Sequence, residues 1–290
     1  MPPFPSSATS TFPPATTRPT VPGPSLVPPP RPEPVRAERF HFLGTFVDGF
    51  TIASFIERLA HAVARDESLL VTNHNINSLT VLQHDPKFAD LYDRAGAVFV
   101  DGQPVVALGR LFGAPVKAEH RVAVLDWIWP LFDRAEREGW RIVHLGGSRA
   151  VLEEVRAKVV RQHPRLSLTL VDGFFDPSDP VQNGAVLDEI RQARPTVLLV
   201  GMGMPRQEHW LQDNLDALPP TVAVTVGGIL SFLGDERPTA PRWMGRLGIE
   251  WLFRLATEPR RLWRRYLVEP LALVPAVARE LRSGKADVRR

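Results

Sequence analysis

Two stretches of this 290-residue chain set polar side chains directly after buried strands. Asp101 follows the apolar run Ala97-Val98-Phe99-Val100 and precedes Gly102. A carboxylate at the carboxyl end of a strand, with a glycine leaving room above it, is placed to take the proton of an incoming hydroxyl, a step worth about 10²–10⁴-fold in rate. The same dipeptide also makes plain turns. The second stretch is the apolar run Thr196 to Val200, followed by Gly201-Met202-Gly203 and Pro205-Arg206-Gln207-Glu208. Its glycines allow close backbone approach, and Arg206 can meet a phosphate or carboxylate there. Taken alone, it is equally a tight turn beside a solvated arginine.

What the chain lacks narrows the chemistry. It has no cysteine, which removes disulfides, thiolate nucleophiles and zinc–thiolate sites. No Asp-x-Asp pair is present to hold a divalent cation on a diphosphate, and the eight histidines show no His-Glu-x-x-His spacing. There is no Gly-x-x-x-x-Gly-Lys-Ser/Thr loop. The Gly201-x-Gly203 turn has Arg206 where a dinucleotide fingerprint needs its third glycine, and no acidic residue ends a strand about 20 positions further on. No cofactor and no metal are expected.

The elements that must position these residues alternate in type. Strand patterns occupy 69–72, 97–100, 141–145, 167–171, 196–200 and 222–226. Helical patterns occupy 52–65, 125–138, 150–162, 185–193 and 208–214. Alternation of this kind predicts an α/β fold, a doubly wound, mainly parallel, Rossmann-like sheet. Three strand patterns end in glycine, at Gly146-Gly147-Ser148, Gly201 and Gly227-Gly228, and these turns should line up along one edge. Open parallel sheets bind ligands at that edge.

The ends of the chain differ from its middle. Residues 1–38 hold 13 of the 29 prolines, too little apolar surface to offset ordering entropy, and are expected to form a disordered tail. They lack the apolar core of a secretory signal peptide, so no targeting signal is expected. Residues 39–241 make the α/β domain. From Arg242 to Arg290 there are 12 Lys and Arg against 5 Asp and Glu, although the whole chain carries only +3. Trp243, Leu247, Trp251 and Leu255 recur at helical spacing, predicting one helix that ends before Pro259. Arg260, Arg261, Arg264 and Arg265 then share one face. This C-terminal helical appendage, 242–290, is either a solvated basic face or an interfacial helix with arginines on phosphate headgroups and aromatics at the polar boundary. No window reaches the roughly 20 apolar residues of a spanning helix. A non-catalytic nucleic-acid-binding or scaffold protein would also use a basic terminus. Here the arginines are mixed with Trp and Leu, and that role leaves the polar strand ends unexplained, so no nucleic acid partner is expected.

GMGMPRQEHW, VDGQP, EHRVAVLDW and the C-terminal WMGRLGIEWLFRLATEPRRLWRRY together resemble the WecG/TagA/CpsF glycosyltransferases, over roughly residues 40–270. The resemblance implies an inverting, metal-independent transferase. It would move an N-acetylmannosamine-type sugar, its uronate or glucose from a UDP-sugar to a polyprenyl-diphosphate-linked saccharide. It implies that Asp101 is the base and that Gln207 contacts sugar or nucleotide, with Gly102, Gly201, Gly203 and Gly227 in the binding turns. A Thr-x-Asn pair is implied near the first strand end; here Asn75 takes the asparagine position, and Thr72 or Asn73 the other. Arg121 matches an Arg-Val-x-Gly-x-Asp segment with Val124 in place of the glycine, and it can neutralise a departing diphosphate. Asp126 either orients Arg121 or caps the next helix. His74 is either a further polar ligand or a structural core histidine. Arg254, with the four arginines after Pro259, is assigned to the acceptor and the anionic inner leaflet. A peripheral position on the cytoplasmic face of the membrane and self-association into a homo-oligomer are implied as well.

Overall fold

The structure is a computed structural model and describes residues 37–246 and 248–283. The expected proline-rich tail lies outside the described residues except for its last two positions. A hairpin not anticipated from sequence opens the described chain: β1 (Arg39–Phe42) pairs antiparallel with β2 (Thr45–Asp48). Its turn places Leu43 and Gly44 at positive φ, 54° and 75°. A leucine there hides the usual Asn-Gly hairpin signal. Asp48 fastens the hairpin to the main sheet, accepting from Val98 N–H at 2.8 Å and from Arg39 Nε at 2.7 Å.

Six strands build the main sheet: β3 (Leu69–His74), β4 (Ala97–Val100), β5 (Arg141–Leu145), β6 (Ser167–Val171), β7 (Val197–Val200) and β8 (Val222–Thr225). All pair in parallel, in the order β4-β3-β8-β7-β5-β6. Helices cover both faces, so the fold is a doubly wound α/β sheet. The period-2 alternation of a strand shows how. Val197 and Leu199 join one core with Phe55 of α1 (Ile52–Ala64), Trp127 of α5 (Val124–Glu138) and Val155 of α6 (Arg149–Gln162). Leu198 and Val200 join the opposite core with Leu91 of α3 (Pro86–Asp93), Ile190 of α7 (Pro180–Ala193) and Trp210 of α8 (Arg206–Asn214). Each fully buried large side chain contributes about 1.5–3 kcal/mol over its exposed state.

Three boundaries matter for the site. β3 runs two residues beyond the predicted Thr72, so Asn73 and His74 belong to the strand. Asn75 then caps α2 (Ile76–Leu82), its side chain accepting from Ser78 N–H at 3.1 Å. α4 (Gln103–Leu111) starts directly after Gly102, whose φ of 127° and ψ of 144° fall where only glycine rests without strain. Glycine is therefore required at that position by the backbone.

The single helix expected before Pro259 is two. α9 (Ile229–Leu233) follows β8, and α10 (Arg242–Arg246) then ends before Gly248, at φ 74°, ahead of α11 (Glu250–Thr257). A left-handed glycine interrupts the helical hydrogen-bond ladder although the apolar spacing continues across it. The chain continues as α12 (Pro259–Trp263), a π-helical turn (Arg264–Val268), a 3-10 stretch (Glu269–Leu273) and α13 (Val274–Ser283). Leu273 and Ala276 of this terminal segment are buried in the same core as Leu79, close to α2.

Candidate active site

A cavity of about 950 Å³ opens above the carboxyl ends of the strands. Its floor is glycine. A Cβ on Gly146 would lie 2.4 Å from the Gly201 carbonyl oxygen, one on Gly173 would lie 2.6 Å from Gly146 Cα, and one on Gly201 would lie 2.7 Å from the Gly227 carbonyl oxygen. The turns after β5, β6, β7 and β8 therefore touch backbone to backbone, as the alignment of glycine ends predicts. Gly203 and Gly227 hold positive φ of 81° and 59° with open space beside them. The turn after β7 contains a cis Met204–Pro205 peptide bond.

Asp101 lines the cavity at the end of β4, half-buried, and its carboxyl accepts no hydrogen bond among the described residues. Its backbone is fixed, donating N–H to the His74 carbonyl at 2.8 Å. Burial pushes its carboxyl above the usual aspartate range, and the cations of Arg254 and then Arg121 oppose the shift. Arg121 is held close by a single parallel bridge to Val100, the residue before Asp101. Its guanidinium donates to Asp126 at 2.8 Å and to Glu250 at 3.1 Å. Asp126 thus orients Arg121. Capping of α5 is excluded, because the cap residue is Ala123 and no side chain caps that helix end. Glu250 also pairs with Arg254 at 2.8 Å.

Asn73 and Asn75 line the same cavity. Asn73 donates to the Thr225 carbonyl and hydroxyl, both at 3.1 Å, which ties β3 to β8. Gln207 lines it from α8, accepting the Gly227 N–H at 3.1 Å and donating to Glu208 at 2.7 Å. Arg206 reaches back to the Phe175 carbonyl and lies over the Phe175 ring, while its buried Nε has no partner among the described residues.

From the C-terminal segment Arg254, Arg261 and Arg265 line the cavity. Arg261 pairs with Glu258; Arg265 forms no ion pair among the described residues, and its Nε is buried without a partner. A second cavity, of about 480 Å³, adjoins the first and shares Met204, Arg261 and Arg265 with it. Val81, Pro205 and Ala272 line its apolar part.

Thus Asn73, Asn75, Asp101, Arg121, Gly201, Gly203, Arg206, Gln207, Gly227, Arg254, Arg261 and Arg265 come together. Thr72 does not. Its side chain is fully buried in β3, away from the cavity wall, so of the two alternatives at that position Asn73 is the one presented. Gly102 shapes the backbone without lining the cavity. The arginine stripe divides, because Arg260 and Arg264 are exposed and do not line the cavity. His74 is a core histidine, bonded to Thr45 and Ser78 at 2.9 Å each, stacked on Tyr92 and held neutral by burial, its pKa lowered to about 3. Sequence reasoning missed Glu250, which meets Arg121 across 129 positions, and the complete burial of Glu208. No local spacing signals either.

Over residues 40–287 the sequence matches the family described as Glycosyl transferase WecG/TagA/CpsF family. A relative from Bacillus spizizenii is 27% identical over 241 residues, covering 83% of this chain and 91% of the relative. One from Staphylococcus aureus is 24% identical over 224 residues, covering 77% and 86%. Both carry the name N-acetylglucosaminyldiphosphoundecaprenol N-acetyl-beta-D-mannosaminyltransferase.

Proposed function

The chain belongs to the WecG/TagA/CpsF glycosyltransferase family, and we propose that it moves a sugar of the N-acetylmannosamine type from a UDP-sugar to a polyprenyl-diphosphate-linked saccharide in cell-envelope polymer synthesis. The named activity of its relatives supports the acceptor class and the sugar. The observation that carries the reading is the Asp101 carboxyl at the end of β4, which accepts no hydrogen bond among the described residues, in a cavity whose lining also holds Arg121, Arg206, Gln207 and the glycine turns.

In the proposed reaction Asp101 accepts the proton of the acceptor hydroxyl, whose oxygen attacks the anomeric carbon. The bond from that carbon to the diphosphate oxygen breaks on the opposite side, UDP leaves with the electron pair, and the configuration inverts. The departing diphosphate needs cations. Arg121 already serves two carboxylates, so Arg206 and Arg265 take the larger share, with Arg121 and the backbone N–H groups of the 201–207 turn supporting them. This charge set supports a transfer without a metal.

The second cavity suits the lipid-proximal end of the acceptor, with Arg261 and Arg265 at the junction. Trp263, Leu267, Leu271 and Val274 are exposed apolar side chains in the stretch that also exposes Arg260 and Arg264. That combination supports a peripheral position on the anionic inner face of the membrane. No helix among the described residues is long and apolar enough to cross a membrane. In this proposal residues 39–241 carry the transferase sheet and residues 242–290 associate with the membrane. The test is incubation with a panel of UDP-sugars and a short-chain polyprenyl-diphosphate N-acetylglucosamine, read by mass spectrometry. Product with one donor is the expected result; no product with any donor refutes the proposal.

A further inference from the structure

Glu208 takes part in none of the steps above, yet it is fully buried beside them. Its Oε1 accepts Gln207 Nε2 at 2.7 Å, and its Oε2 has no partner among the described residues. Gln207 is itself 1% exposed, and its Oε1 accepts the Gly227 N–H at 3.1 Å. A primary amide offers two hydrogens at one end and two lone pairs at the other. Its two neighbours here have opposite demands, because a carboxylate accepts and a backbone N–H donates. One orientation of the amide satisfies both. The flipped orientation sets oxygen against carboxylate and NH₂ against N–H, leaving buried groups unmatched.

We propose that Glu208 is a positioning residue that fixes the Gln207 amide so that its second Nε2 hydrogen is held for an acceptor oxygen in the cavity. The fit is chemical. The oxygens of a diphosphate only accept, so an amide presented with its carbonyl outward would repel the ligand that the same side chain attracts when held as it is. The fixed amide also keeps the turns after β7 and β8 in register, since Gln207 belongs to α8 and Gly227 follows β8. Protonation does not release the lock. A neutral carboxyl keeps a carbonyl oxygen for Gln207, and the Gly227 N–H remains a donor at any pH. The choice of ligand rests on the sugar-nucleotide reading above; the lock on the amide does not.

The experiment compares wild type, Glu208→Leu and Glu208→Gln, with Glu208→Ala taking the place of the leucine variant if that does not fold. UDP affinity is measured by calorimetry, donor KM and kcat by product formation, and the Gln207 side-chain amide by ¹⁵N–¹H spectroscopy. Glu208→Leu is expected to weaken UDP by about tenfold and to raise donor KM more than it lowers kcat, while Glu208→Gln stays within about threefold, its own carbonyl replacing the carboxylate. Equal UDP affinity in Glu208→Leu and wild type overturns the proposal. So does an equal loss in the folded glutamine variant, which would assign the effect to charge. If wild type binds no UDP, the donor reading falls and the Gln207 amide signal decides alone: a signal unchanged by Glu208→Leu refutes the lock, and one that moves or averages supports it.

Discussion

Arg121 Nη2 and Glu250 Oε2 meet at 3.1 Å, joining the loop beside β4 to the first turn of α11. The contact brings the C-terminal segment's charges to bear on Asp101. The Glu250 carboxylate also holds Arg254, and Arg254 is the foremost cation opposing the upward shift of the Asp101 carboxyl. The proposed base is therefore tuned from a part of the chain about 150 residues away.

Asp101→Asn should cut turnover by about a hundredfold or more while leaving the melting temperature unchanged or raised, since a partly desolvated charge is removed. Single-turnover product formation and calorimetry on the same preparation check this. Near-normal turnover removes Asp101 from the role of base.

Arg254→Gln should move the acid limb of the pH–rate profile upward. A nearby cation favours the ionised carboxylate, so its loss raises the Asp101 pKa further, and the base becomes competent only at higher pH. A limb that stays in place separates Arg254 from Asp101.

Much of this site is legible in the sequence because its parts follow strands. The ends of β4 and β7 show as apolar runs closed by Asp101-Gly102 and by Gly201-Met202-Gly203, and parallel pairing brings any such ends to one rim. The remainder depends on distance. That Asn73 rather than Thr72 is presented depends on where β3 ends, two residues past its apolar pattern. The break at Gly248 leaves the spacing of Trp243, Trp251 and Leu255 intact, so periodicity alone reads through it. The hairpin of β1 and β2 turns on a leucine at positive φ, and the partners of Arg121 lie in two different helices.

Glu208→Gln should be more stable than wild type at pH 8 and equal to it near pH 4.5. Burial raises the Glu208 carboxyl from 4.5 to about 7, opposed by its bonds to Gln207 and the backbone and by the more distant Arg265, with Asp85 raising it slightly. Between those values the folded state holds a proton that the unfolded state has released. Stability therefore falls as pH rises through the window, by an amount on the order of 3 kcal/mol. Urea melts at several pH values measure the difference; a gap that does not change with pH rules out this linkage.

His144→Met should be tolerated at neutral pH and should blunt acid unfolding. Neither ring nitrogen of His144 has a partner among the described residues, so an apolar replacement loses no hydrogen bond. Its pKa is lowered by burial to about 3. From pH 6.5 downward the unfolded chain takes up a proton that the folded chain refuses, so this residue lowers stability progressively as pH falls to that value. An acid-unfolding midpoint that is the same in both proteins contradicts this.

Gly201→Ala should cost about 1–3 kcal/mol, because the new Cβ would lie 2.6 Å from the His144 ring and 2.7 Å from the Gly227 carbonyl oxygen. Gly184→Ala in α7 is the control. Nothing lies within 4 Å of its Cβ, and replacing a helical glycine should stabilise by about 0.5–1 kcal/mol. Denaturant midpoints read both, and equal effects at the two positions discredit the close-packed floor.

That floor has a further consequence for how the protein can change. Where Gly146, Gly173, Gly201 and Gly227 abut, no side chain exists to be exchanged, and backbone amides do not vary with residue type. A new donor preference has to be written into the cavity's walls and roof, around a base plate that mutation cannot redecorate.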